Sequence, residues 1–497
     1  MKKTRKPDKG SDKGANATAA TPSHQHESHG ASNSLVVRLK ICDEAGMFGQ
    51  VATLIGSYKA DIGAIDIVGF EGECTVRDIT IYVNSPEHGA KIVTALKKLK
   101  GVEVLNVSDR TFRLHLGGKL RITSKVPLKT RDDLSMAYTP GVARVCRAIY
   151  EDPSKAYQLT MKGNTIVVVS DGSRVLAEGN IGAVAAIPVM EGKAAIYAEF
   201  AGVQAVPICL ATQDTEEIIA VVKAIAPNYG GVHLEDISSP KCWEIEQRLM
   251  DELDIPVFHD DQHGTAVVVL AGTLNAVKLV RKQLRNLKIV ASGVGAAGMA
   301  CCRLLIAAGA KNIIGFKKEG PIYKGRPDMN AQEKWLAEHS NPKCFQGTLK
   351  KALKGADMFL GLSVPGVIGA KDVATMNRDA IVFALANPRP EVEPADAAPY
   401  VRVMATGSSE HPNQVNNSLA FPGIFRGLLD CRARRITDDM KIEAARAIAA
   451  IIPPNRLRPD CIIPGQFNEQ VHKAVAEAVV RAAHRAGEAR RSNRTSK

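Results

Sequence analysis

Residues 287–316 read LKIVASGVGAAGMACCRLLIAAGAKNIIGF, and the fold turns on this stretch. LKIVAS has the length and apolarity of a buried strand. Gly293-x-Gly295-x-x-Gly298 follows, then a helical run, Gly309 and a second apolar strand, NIIGF. Glycines at this spacing permit a tight turn and close approach of a pyrophosphate, whose charge meets the helix N-terminus. The same glycines can serve helix–sheet packing alone. In a strand–turn–helix–strand context the pattern predicts dinucleotide binding at Gly293, Val294, Gly295, Ala296, Ala297 and Gly298.

Upstream, GNTIVVVSDGS (163–173), KAAIYAEFAG (193–202) and VPICLAT (206–212) are short apolar runs closed by turn residues. Helical stretches such as DTEEIIAVVKAIAP lie between them, a grammar that predicts a parallel sheet covered on both faces. Residues 34–113 read differently, as βαββαβ: SLVVRLKI, a helix VATLIGSYKA, strands IGAIDIVGF and CTVRDITIYV, a helix HGAKIVTALKKLKG and a strand VEVLNVSDRTF. That order is ferredoxin-like. The expected class is α/β, with a ferredoxin-like N-terminal domain, an α/β substrate domain (114–261) and a Rossmann-like domain (262–430). C-terminal helices (431–484) close the core, and tails (1–33, disordered, and 485–497, basic) flank it.

Composition narrows the function. The chain has 497 residues, 45% hydrophobic and 24% charged, as in ordinary globular proteins. No run approaches the roughly 20 apolar residues of a membrane span. The N-terminus has no apolar core and does not read as a secretory signal. Net charge is +13, but residues 1–33 carry six basic and three acidic side chains, and residues 485–497 carry five and one. Over half of the excess therefore lies in the tails, and nucleic-acid binding is not expected. Ten scattered cysteines without a CxxC pair indicate reduced thiols in a cytoplasmic protein.

FHDDQHGT (258–265) places two histidines four apart, as in a zinc-protease helix. Pro256 and the apolar Val257–Phe258 before it, and Gly264 after it, instead put the histidines across a strand-to-helix turn. Glu235 and Asp236 end another apolar segment, GGVHLED. In a parallel sheet the strand C-termini share one edge, where ligands bind. Carboxylates gathered there need a cation, and oxygen donors suit Mg²⁺ or Mn²⁺ rather than zinc. The alternative is that Asp260 or Asp261 caps the following helix.

Residues 115–440 resemble malic enzymes, in particular the short prokaryotic type. The resemblance rests on AYTPGVA (137–143), SDGSRVL (170–176), GNIG (179–182), PVMEGKA (188–194), LEDIS (234–238), FHDDQHGTA (258–266), ALANPRPE (384–391) and NQVNNSLAFPGIFRG (413–427). It implies oxidative decarboxylation of malate to pyruvate and CO₂ with reduction of NAD(P). Glu235, Asp236 and Asp261 then match the metal ligands, Tyr138 the general acid and Lys193 the general base, its pKa lowered by burial. Arg174 matches a substrate-carboxylate contact, and Asn387 and Asn417 match positions at the substrate and nicotinamide. Ala177–Glu178 departs from the family's usual Gly-Leu. Alternatives are a malolactic-type enzyme and a catalytically impaired effector-binding regulator.

Residues 34–113 resemble an ACT domain, which implies side-by-side pairing and a small effector near Asp43 and Gly46; a dimerising domain without ligand is the alternative. A homodimer or higher homo-oligomer is expected. The second strand of the dinucleotide unit ends at Lys317–Lys318, where an acid would accept the ribose hydroxyls. A cationic rim there favours NADP over NAD, unless the lysines face solvent and Glu319 takes the ribose.

Overall fold

The computed structural model describes residues 33–491, in two units divided between Arg113 and Leu114. The tail expected over 1–33 falls outside the described residues except for Asn33, as does 492–497.

The first unit runs β1 (Ser34–Cys42), a helix Met47–Ser57, β2 (Asp61–Glu71), β3 (Cys74–Tyr82), a helix Pro86–Leu96 and β4 (Val102–Asp109). Its antiparallel sheet has the order β2-β3-β1-β4, the ferredoxin-like topology. Alternation decides the faces. Val37, Leu39 and Ile41 of β1 and Ile79 and Ile81 of β3 are buried with Val51, Ile55, Ile92 and Leu96 of the two helices.

The second unit holds two sheets. The smaller joins β5 (Thr165–Ser170), β6 (Gln204–Cys209), β7 (Val232–Leu234) and β8 (Val257–His259), all parallel, in the order β6-β5-β7-β8. The larger joins β9 (Lys288–Ser292), β10 (Asn312–Lys317), β11 (Gly320–Pro321), β12 (Met358–Gly361), β13 (Ala380–Ala384) and β14 (Val401–Thr406). Its order is β11-β10-β9-β12-β13-β14, parallel except for the short β11. Strand order reverses between β9 and β12, which opens a crevice at their C-terminal ends.

Three local expectations are corrected. KAAIYAEFAG is not a strand but the second half of a helix, Gly182–Ala201. Its buried residues Ala186, Met190, Ala194 and Tyr197 recur every three or four positions, a helical period that its uniform apolarity hides. The helix after β8 begins at Asp260 rather than after Gly264, and runs unbroken to Leu279. The basic tail, expected to be disordered like residues 1–33, is ordered through Arg491. Ala489 bridges to Ala433, and the Arg490 guanidinium donates to Asp254 O at 2.6 Å and to Arg432 O at 3.2 Å.

Candidate active site

β7 and β8 lie side by side, so the residues after them meet at one sheet edge. β7 delivers Glu235 and Asp236, and β8 delivers Asp260 and Asp261. Successive side chains of an extended strand point to opposite faces. Asp236 breaks that alternation with φ +56°, a left-handed conformation that Asp tolerates at a cost of about 1–2 kcal/mol. Glu235, Asp236 and Asp261 each offer a carboxylate oxygen, all within 4.8 Å of one another. Asp236 also donates its backbone N–H to Asp261 Oδ2 at 2.9 Å.

The helix Gly182–Ala201 brings Lys193 to the same place. Its Nζ is 2.6 Å from Asp260 Oδ2 and 3.0 Å from Glu235 Oε1, and 4.7 Å from the centre of the Phe421 ring. Burial alone would lower the lysine pKa, but the charges of Asp260 and Glu235 outweigh it and raise it. The expectation that burial brings Lys193 toward neutrality is thereby corrected: in this arrangement it is an ammonium.

Behind Glu235 stands a buried pair. Tyr197 Oη lies 2.8 Å from His233 Nδ1, and His233 Nε2 lies 2.7 Å from Glu235 Oε2. Burial pushes the His233 pKa down to about 3, so the imidazole is neutral. With one N–H available, Tyr197 donates to Nδ1 and Nε2–H donates to the carboxylate. This leaves Glu235 Oε1 facing Lys193.

The acidic edge fits a hard divalent cation. Burial first, then the neighbouring charges of Glu235 and Asp261, push the Asp236 pKa up to about 8; burial pushes Glu235 well above the carboxylate range, with Lys193 opposing. Asp236 Oδ2 is buried without a hydrogen-bond partner. Such a set of oxygens is stabilised in its charged form by a bound cation. A second group, His233, Glu235 and Asp260, is equally close, but the Lys193 ammonium already lies between its acids.

No zinc-protease helix forms. His259 ends β8, and His263 faces Glu246, which accepts from His263 Nε2 and Gln262 Nε2 at 3.1 Å and from the His259 N–H at 2.9 Å. Burial alone would raise the Glu246 pKa, but the His263 charge and hydrogen bond bring it to about 2. An ionised Glu246 therefore pins the first turn of the helix that carries Asp260 and Asp261. Gly264, inside that helix, completes the packing: a Cβ there would stand 1.9 Å from Asp260 Oδ1 and 3.0 Å from Asn417 Cβ. Gly264→Ala should therefore displace Asp260 from Lys193 and lower turnover about 10²-fold, although alanine favours the helix by about 1 kcal/mol. Steady-state rates with unchanged far-UV circular dichroism check this.

The glycine turn between β9 and the next helix forms. β9 leads to Gly293 (φ +88°), whose Cβ would stand 2.4 Å from Leu362 O at the end of β12. A Cβ on Gly298 would meet Gly293 O at 2.2 Å, so this glycine lets the helix Ala296–Ala307 close on the strand. A Cβ on Gly295 would meet nothing. Gly295 is the N-cap, with no side-chain cap on the helix it opens. The open, uncapped N-terminus at Ala296 and Ala297 suits a diphosphate, and Val294 packs beneath it, buried.

Other expected residues are placed less closely. Arg174 touches the acidic edge through its backbone, donating its N–H to Asp236 O at 3.0 Å, while its side chain is exposed. Asn417 lies against Gly264, and Asn387 follows β13 at the C-terminal edge of the larger sheet, beside Gly407. Tyr138, matched to the general acid, is 67% exposed and makes no hydrogen bond to Lys193 among the described residues. Lys317 does not form a free cationic rim: its Nζ meets Asp328 O at 2.6 Å and the Asp328 and Glu333 carboxylates at 3.3 Å each. Its charge is answered within the protein, which takes Lys317 out of the expected rim and leaves Lys318 alone exposed there. Sequence reading also missed Asp260 as the partner of Lys193, and Tyr197, His233 and Glu246; the adjacent acids of FHDDQ and the histidine of VHLED were the available signals.

Comparison with known proteins agrees with this geometry. Residues 117–250 match the malic enzyme N-terminal domain and residues 262–484 the malic enzyme NAD binding domain. The chain is 55% identical over 464 residues to a NAD-dependent malic enzyme of Geobacillus stearothermophilus, covering 93% of this chain and 97% of the relative. It is 50% identical over 390 residues to a bifunctional malic/malolactic enzyme of Bacillus subtilis (strain 168), covering 77% and 95%. The crystal structure of a malic enzyme from Pyrococcus horikoshii Ot3 superposes with a TM-score of 0.73 at 47% identity, over 76% of this chain and 89% of that one. With both family domains matched in order around the acidic edge and the glycine turn, the chain belongs to the malic enzyme family.

Proposed function

We propose that the chain oxidises malate with NAD to pyruvate, CO₂ and NADH, with a divalent cation held at Glu235, Asp236 and Asp261. The observation that carries this reading is Lys193, held between Asp260 and Glu235 at the edge of the three-carboxylate set. Malate oxidation removes a hydride from C2 and a proton from the C2 hydroxyl. Lys193 and Asp260 lie 2.6 Å apart, so the hydroxyl proton is accepted as the Lys193 ammonium passes one of its own protons to Asp260 Oδ2. A cation at the three carboxylates supplies Lewis acidity for the negative charge that develops as CO₂ leaves. The Tyr197–His233 pair holds Glu235 in place, and the open helix N-terminus at Gly295 orients the dinucleotide. Tyr138 fits the protonation of the product carbon by family resemblance, from a segment rich in exposed apolar side chains.

NAD is favoured as the coenzyme because Lys317 is already ion-paired and the 55%-identical relative is named for NAD. The βαββαβ unit supports reading residues 34–113 as an ACT-like regulatory domain that takes a small effector near Asp43 and Gly46. Exposed Leu116, Ile122, Met136 and Tyr150 favour assembly as a homo-oligomer. Absorbance at 340 nm with malate and Mn²⁺, with NAD and NADP in turn, tests the activity. Pyruvate as the product sustains it, and lactate without NADH release identifies the malolactic reaction that the Bacillus relative's name includes. Deleting residues 1–113 should leave a folded, active enzyme with altered effector response or assembly, since the residues assigned to the site run from Tyr138 to Asn417; gel filtration and the same assay check it.

A further inference from the structure

Cys42 and Cys74 stand opposite each other at the ends of β1 and β3, with their sulfurs 3.6 Å apart. Both are partly exposed thiols. The ladder explains why they meet. Asp43 donates its N–H to Glu73 O, whereas Cys42 donates its own the other way, to Gly101 O. Cys42 and Cys74 thus form a non-hydrogen-bonded antiparallel pair, in which Cα atoms approach to about 4.5 Å. That separation falls within the roughly 4.4–6.8 Å range of disulfides, so a bond needs side-chain rotation and no change of register.

The two sulfurs lie on the sheet face turned away from the two helices, because Val37, Leu39 and Ile41 fill the opposite face. Lys40, on that same face, pairs with Glu71 at 3.0 Å. Its charge favours the Cys74 thiolate, although the hydrogen bond to Cys42 raises that thiol overall. Cys209 and Cys461 share this partial exposure, but Cys209 stands opposite Ser170 and Cys461 bridges to Arg458. Cys242, Cys301, Cys302 and Cys431 are buried, and burial pushes the Cys242 and Cys302 thiols up to about 12 and the Cys431 thiol up to about 11. Cys146 and Cys344 are exposed.

We propose that Cys42 and Cys74 form a reversible dithiol–disulfide couple, a redox modification site in the N-terminal unit. The oxidant is a low-molecular-weight disulfide such as glutathione disulfide. One thiolate attacks it, breaking its S–S bond, forming a mixed disulfide and releasing one glutathione thiolate. The neighbouring thiolate then displaces the second glutathione and forms the Cys42–Cys74 bond. Two electrons pass from the two protein sulfurs to the glutathione sulfurs, and the two thiol protons leave with the two glutathione molecules. Asp43 and Thr75, the next residues along each strand, are joined by a 3.2 Å hydrogen bond, so the new bond would tie the strands at the mouth of the Asp43–Gly46 turn. This inference does not depend on an effector binding there.

The test equilibrates the full chain with reduced and oxidised glutathione at several ratios, alkylates the free thiols and maps the peptides by mass spectrometry. The expected result is a linked Cys42–Cys74 peptide at ratios where Cys146 and Cys344 carry glutathione, reversed by dithiothreitol. Cys42→Ser should abolish the link and leave Cys74 as a mixed disulfide. Cys42 and Cys74 both remaining free, or both carrying glutathione, under conditions that modify Cys146 overturns the proposal. The wild-type chain needs no folding control, so a misfolded variant does not decide the outcome.

Discussion

Lys193→Ala should lower malate turnover by about 10²–10⁴-fold, the usual cost of losing a positioned acid–base group. A second effect accompanies it. Lys193 is the cation between Asp260, fully buried, and Glu235, nearly so. Removing one partner of a buried ion pair typically costs about 3–5 kcal/mol, because the charge left behind has no counter-ion. The variant should therefore melt at lower temperature than wild type, while coenzyme binding at the Gly293–Gly298 turn persists. Steady-state rates, thermal unfolding and NADH fluorescence titration together check this. A variant within about threefold of wild-type turnover would place the proton acceptor elsewhere.

Asp261→Ala should abolish turnover at limiting Mn²⁺ and leave dinucleotide affinity intact. Asp261 is the most exposed of the three carboxylates, its side chain 36% accessible, so its loss should spare the fold. It also accepts the Asp236 backbone N–H, and Asp236 holds its left-handed conformation beside that bond. Losing both an oxygen donor and this anchor should weaken Mn²⁺ binding by at least the 10–100-fold seen when outer supports of a metal site are removed. Mn²⁺ titration followed by electron paramagnetic resonance reads this without any turnover. Unchanged Mn²⁺ affinity would remove Asp261 from the ligand set.

The fold was legible wherever a period or a turn signal was local. The glycine turn at 293–298 and the βαββαβ order of 34–113 needed only spacing and punctuation. KAAIYAEFAG failed because a helix apolar on most sides carries little periodicity, so its length suggested a strand. The acidic edge was legible because strand ends converge in any parallel sheet. What covers those acids was not: the Lys193–Asp260 pair joins residues 67 apart, and the Lys193 proton depends on two charges brought in from elsewhere in the chain. Lys317 failed for the same reason, since its neutralising acids, Asp328 and Glu333, lie beyond the strand that was read.

The helix Asp260–Leu279 carries a constraint for recombination between homologues. Its first turn presents Asp260 and Asp261. Farther along, a Cβ on Gly272 would stand 3.1 Å from Phe383 of β13, Thr273 Oγ1 reaches Met358 Sδ of β12 at 3.9 Å, and Asn275 donates to Ala449 O and Ile462 O. One rod thus sets the acids' position against the coenzyme sheet. A chimaera that exchanges coenzyme domains with a crossover at residue 262 would splice a foreign shaft onto native acids and shift them relative to the nicotinamide. Crossovers before Val257 or after Leu279 keep the shaft whole, and the first of these moves Asp260 and Asp261 together with the sheet against which they are gauged.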